Sequence, residues 1–179
     1  MKQKIFAAIA AATVLLAGTP ALALTQPQLD CPTQGTGKQG AEKLAMAMLT
    51  DDDGHASAIA EGDKLSAMVK TCMAQFKIAD DLHGLYFDYS MHRISHDGCT
   101  SLLTAKGFPV AVIDRSFDFG PGRSNPVITE LADSQINKLI GDLTAAGFQI
   151  EGVPQSTWKL VGAYIIATSR MYEKGSKLA

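Results

Sequence analysis

From about residue 39 onward, apolar positions recur three and four apart, the spacing of side chains that share one face of a helix. Leu44, Met48 and Leu49 make a first short face, which Thr50-Asp51-Asp52-Asp53-Gly54 interrupts. A second helix is expected from about His55 to Phe76, carried by Ile59, Leu65, Met68, Val69 and Cys72. Asp80 and Asp81 are capping residues ahead of a third, which runs from Leu82 towards Lys106. Ser124-Asn125-Pro126, a cap followed by proline at the first helical position, predicts the start of a fourth. That helix carries Ile128, Leu131, Ile136, Leu139, Ile140 and Leu143 on a broad stripe, and a fifth is expected from about Pro154 to Tyr172. The pattern therefore predicts a mainly α protein, a single-domain bundle of about five helices over residues 39–179.

Two stretches echo each other 40 residues apart, LTAKGFPV at 103–110 and LTAAGFQI at 143–150. Each reads as a helix end in which glycine takes the left-handed position and the next phenylalanine folds back on the last turn. Val110-Ala111-Val112-Ile113 and Phe148 to Val153 also suit short buried strands, so a two-stranded β element, and with it an α+β alternative, belongs to the expectation. FDFGPGRSNP, residues 117–126, reads as an inter-helix connection in which Phe117, Phe119 and Arg123 are candidate contact residues.

The N-terminus changes the picture from fold to destination. Lys2 and Lys4 precede an uncharged apolar stretch, Ile5 to Ala17, and Ala21-Leu22-Ala23 fits a small-residue cleavage site. This is the layout of a signal peptide over residues 1–23, with the mature chain starting near Leu24 in the periplasm or outside the cell. The apolar run falls short of the roughly 20 residues that a membrane span needs, and no later stretch is longer. Residues 24–38, with Pro27, Pro32, Gly35 and Gly37, read as an irregular arm. The chain carries 16 basic and 18 acidic residues; without Lys2 and Lys4 the balance is 14 to 18, a formal net charge of −4. Nucleic-acid binding needs a basic face, so nucleic acid is not an expected partner.

An oxidising compartment favours cysteine pairing, and three cysteines leave one over. A hairpin of the first two helices turning near Asp53 puts Cys72 opposite residue 34, close to Cys31. Pairing Cys72 with Cys99 would have to span roughly 22 Å at 1.5 Å per residue, whereas a disulfide allows about 4.4–6.8 Å between α-carbons. The expected bridge is Cys31–Cys72.

The remaining candidate chemistry lies in HRISHDGC, residues 92–99. At 100° per residue, Asp88, His92, His96 and Cys99 fall within an arc of about 80° on the third helix. Imidazoles at i and i+4, with Asp or Cys one turn away, form a candidate site for a transition metal such as zinc. Leu85 and Leu103 fall within that arc, and Leu82 and Tyr89 at its edge, which favours histidines packed in the helix seam instead. His96-Asp97-Gly98-Cys99 is similar to the His-Asp-x-Cys stretch of secreted phospholipases A2, which would make His96 a base and Asp97 a calcium ligand. Thr100 stands where that family carries tyrosine, and no glycine-rich calcium loop lies shortly upstream. No complete catalytic residue set is present. The functional expectation is an exported binding or accessory protein of the cell envelope, such as an inhibitor, immunity or chaperone-like factor, whose partner is another envelope or secreted protein. The alternative is a metal- or cofactor-binding protein, an enzyme included, centred on His92 and His96.

Overall fold

The computed structural model describes residues 23–49 and 54–179. Apart from Ala23, the expected signal segment lies outside the described residues, as does the acidic run Asp51–Asp53. Six helices follow in order: α1 (Gln26–Ala47), α2 (Gly54–Phe76), α3 (His83–Ala105), α4 (Val110–Phe117), α5 (Asp133–Ala145) and α6 (Gln155–Gly175). A short 3-10 turn at Asp80–Leu82 leads into α3. The protein is a mainly α bundle, and no strand occurs among the described residues.

Residues 24–38, expected to be irregular, are instead largely helical. The Thr25 backbone N–H donates to Gln28 Oε1 at 2.7 Å, one half of a capping box. Pro27 sits in the first turn, where a missing N–H costs nothing. Pro32 is further in, and its lack of an N–H frees the carbonyl of Gln28, four residues back. The Tyr86 hydroxyl of α3 donates to that carbonyl at 2.5 Å, so the proline's defect becomes a cross-helix bond. The helix bends at Gly37, whose φ of +64° breaks the ladder without a steric cost.

α3 and α6 run through two packed regions. One joins the end of α3 to α4, α5 and the start of α6, around Leu103, Ile113, Leu143 and Ile165. The other joins the start of α3 to α1, α2 and the end of α6, around Val69, Cys72, Tyr86 and Ile94. α1 crosses α3 closely at Gly98, where a β-carbon would come within 2.1 Å of the Ala41 carbonyl oxygen. Cys31 and Cys72 form the expected disulfide, with 6.0 Å between their α-carbons, and it ties the first turns of α1 to α2.

Two segments differ from expectation. Val110–Phe117 is a helix and no strand forms after Phe148, because Val112, Ile113 and Phe117 share one helical face, which the core buries. The helix expected from Ser124 begins only at Asp133. Asn125 adopts φ +46° and closes a turn rather than starting a helix. Its Oδ1 accepts from Gly120 N–H at 2.8 Å, and its Nδ2 donates to Gly120 O at 3.0 Å. The extended segment after it is pinned to α6 by Ser169, which accepts from Ile128 N–H at 2.6 Å and donates to Pro126 O at 2.8 Å.

Candidate functional site

α3 presents Asp88, His92, His96 and Cys99 along one arc, as the sequence requires, but α6 packs along that arc and divides it. His96 turns towards α6 and α4. Its Nδ1 lies 2.9 Å from Asp97 Oδ1, and its ring sits 5.2 Å, centroid to centroid, from that of Tyr164. Asp97 is held in turn by Arg93, whose Nε lies 3.3 Å from Oδ2. Burial by itself would raise the Asp97 pKa; the His96 hydrogen bond and the Arg93 charge outweigh it and keep the carboxyl below its usual range. Asp97 thus belongs to an arginine–carboxylate–imidazole chain, not to a calcium loop.

His92 lies on the other flank. It lines a cleft of about 390 Å³ with Met48 and Leu49 of the turn after α1, Ser95 and Cys99 of α3, and Ala163 and Ile166 of α6. Its Nδ1 is buried without a hydrogen-bond partner, and burial lowers its pKa. Asp88 points further along α3, to an ion pair with Lys174 at 3.4 Å. Cys99 is 1% exposed, and burial pushes its thiol up to about 12. A thiol in that state is a packing residue, since only the thiolate attacks or ligates efficiently. The four candidate ligands are therefore not brought together, and among the described residues no group of three or more His, Cys, Asp or Glu is placed to hold a metal ion.

A different surface stands out in their place. A recess of about 220 Å³ opens between α5 and α6, lined by Ile136 and Ile140 on one side and Trp158, Val161 and Ile165 on the other. Gly162 lines both this recess and the His92 cleft, and a β-carbon added there would meet nothing within 4 Å. Gly162 of α6 thus lies between two apolar depressions. Ile136 and Ile140, one turn apart, remain 38% and 37% exposed at its rim, while Leu139 and Leu143 of the same helix are buried. The width of the α5 stripe is the signal in the sequence: it holds more apolar side chains than one helix face can bury against its neighbours.

No helix among the described residues is long and apolar enough to cross a membrane. No family model, curated protein or solved structure matches this chain.

Proposed function

We propose that the chain is an exported helical binding protein of the cell envelope, an inhibitor, immunity or chaperone-like factor that works by docking another envelope or secreted protein. The observation that carries this reading is the apolar groove between α5 and α6. Apolar side chains converge there around a concave surface, the usual lining of a site that takes up an apolar group. Ile136 and Ile140 project beside Gly162, which leaves room for an incoming side chain. Both isoleucines are already more than half buried, so covering what remains is worth about 0.5–1 kcal/mol for each, a contribution to anchoring a partner. Export is supported by the layout of residues 1–23 and fits the Cys31–Cys72 bridge.

The test is affinity capture from the periplasmic fraction with wild type, Ile136→Glu/Ile140→Glu, Gly162→Arg and Lys106→Gln as an exposed control. A partner retained by wild type and control but lost from both groove variants supports the reading. Recovery of the protein alone, or capture indifferent to the groove, overturns it. Mass spectrometry of the captured protein checks export directly: the chain should begin near Leu24, and an intact N-terminus would remove the envelope from the proposal.

A further inference from the structure

A larger cleft, of about 660 Å³, lies away from that groove, between the first turns of α1, the middle of α3, the 118–127 loop and the end of α6. Its wall is chemically lopsided. Arg93 and Arg123 both line it, with Tyr89, Tyr172 and Asn125. The acidic groups on the wall are Glu173, already held by Lys177 at 2.8 Å and Arg170 at 2.7 Å, and the α-carboxyl group of Ala179.

Both arginines are positioned in advance. Arg93 is held by Asp97, 3.3 Å from Nε, and by Asp30 of α1, 4.0 Å from Nη2. Arg123 comes from a turn that hydrogen bonds close from within. Asn125 ties Gly120 at both its N–H and its carbonyl, and Nδ2 also donates to Arg123 O at 3.1 Å. Ser124 N–H donates to Asp118 Oδ2 at 3.0 Å. The stem of Arg123 lies over Gly120, where a β-carbon would stand 3.3 Å from its Cδ. The nearest carboxylate oxygen, from Asp118, is 3.9 Å from its Nη1, beyond hydrogen-bond reach, so its donors are still to be used. The same wall also carries greasy side chains: Leu29, Met171 and Val127, the last 56% exposed.

We infer that this cleft binds a carboxylate attached to an apolar body, the carboxylate seated between Arg93 and Arg123 and the body lying on Leu29, Val127 and Met171. Guanidinium forks match planar carboxylates in two parallel hydrogen bonds. The greasy share of the wall distinguishes such a ligand from inorganic phosphate, which would satisfy the arginines and leave the rest empty. Arginines already held in place lose little freedom on binding. Two sources present this chemistry, a free organic acid and the C-terminal residue of a protein chain. The inference stands independently of the α5–α6 groove.

Calorimetric titration of the disulfide-intact protein tests it. The probes are 3-phenylpropanoate, its primary amide, inorganic phosphate, and a tetrapeptide ending in phenylalanine with its carboxyl free or amidated. The acid, the free-carboxyl peptide or both should bind at least tenfold more tightly than the matching amide and than phosphate. Arg123→Gln should weaken that binding at least tenfold, as should Val127→Glu, which sets a carboxylate against the ligand's body. Arg115→Gln, outside the cleft, should leave it unchanged. Tighter binding of the peptide identifies a partner's C-terminus as the source, and tighter binding of the small acid identifies a free metabolite. Binding of none of the probes overturns the inference, as do equal affinities for acid and amide, phosphate matching the acid, or affinity untouched by both cleft variants.

Discussion

The Tyr164 hydroxyl of α6 donates to the Asp114 carboxylate of α4 at 2.5 Å, joining residues 50 apart in the chain. The tyrosine is buried and its ring also packs against His96. Burial, and then the carboxylate beside it, raise the Tyr164 pKa, so the hydroxyl stays a donor. Tyr164→Phe keeps the ring and leaves a half-buried carboxylate without that donor, a loss of about 1–3 kcal/mol. Asp114→Asn keeps an acceptor and should cost less. Urea unfolding of both variants and the double variant checks this. A coupling energy below about 0.5 kcal/mol would mean that the pair acts as two independent groups.

The disulfide closes a loop between residues 41 apart, which in the chain-entropy model stabilises the fold by about 4 kcal/mol. It also holds the arm whose Gln28 carbonyl receives Tyr86. Cys31→Ala/Cys72→Ala should therefore lower unfolding stability by about 2–4 kcal/mol, and a reductant should do the same to wild type. Cys99 behaves oppositely. A thiol reagent should find no reactive group in the native protein and one after unfolding. Rapid native labelling would contradict the enclosed position of that side chain.

Much of this architecture was legible, and the parts that were not share a cause. The Cys31–Cys72 pairing followed from where a helical hairpin turns, because helix rise converts sequence distance into space. The two LTAxGF stretches are helix ends as read: Gly107 and Gly147 take φ of +71° and +79°, and Phe108 and Phe148 each donate back to a leucine carbonyl, at 2.9 and 3.0 Å. That the two phenylalanine rings then meet, 4.7 Å apart, is a tertiary fact that the echo alone does not contain. The misreadings fell on proline and glycine. Pro32 marks a break in isolation but is tolerated where Tyr86 satisfies the freed carbonyl, and Asn125-Pro126 suits a turn as well as a helix start. On α3, an arc of 80° looked like one site; α6 divides it, and nothing local to the helix announces which histidine goes to which flank.

At Gly98 the third helix continues and α1 comes close. The obstacle there is backbone, the Ala41 carbonyl, which cannot swing aside as a side chain would. Gly98→Ala should force the two helices apart and cost about 1–3 kcal/mol, the usual range for overpacking. Gly162→Ala, facing open space, should be neutral or slightly stabilising because alanine is the better helix former. Thermal melts of the two variants separate these outcomes, and equal melting temperatures would place the α1–α3 crossing elsewhere.

Acid should reach the fold first through His92. Burial lowers its pKa from the ordinary 6.5; Asp88 pulls it back up, Arg170 and Lys174 lower it further, and Glu173 opposes them. Below pH 6.5 the unfolded chain therefore binds a proton that the folded chain refuses. Stability from this group is fully present above 6.5 and is lost as the pH falls from there towards the folded-state value, with a slope of at most about 1.4 kcal/mol per pH unit for one proton. Asp97 adds a second limb at lower pH. Its pKa is held below the ordinary 3.8, so its contribution is present above that value and disappears as the pH drops through the folded one. Urea midpoints measured from pH 7.5 to 3 should show both limbs. His92→Gln should flatten the first and leave the second, and Asp97→Asn should leave the first and make the second shallower, since Glu173, Asp118 and Asp142 are also held below their usual range. A first limb unchanged in His92→Gln would mean that this imidazole takes up its proton as readily in the folded protein as in the unfolded chain.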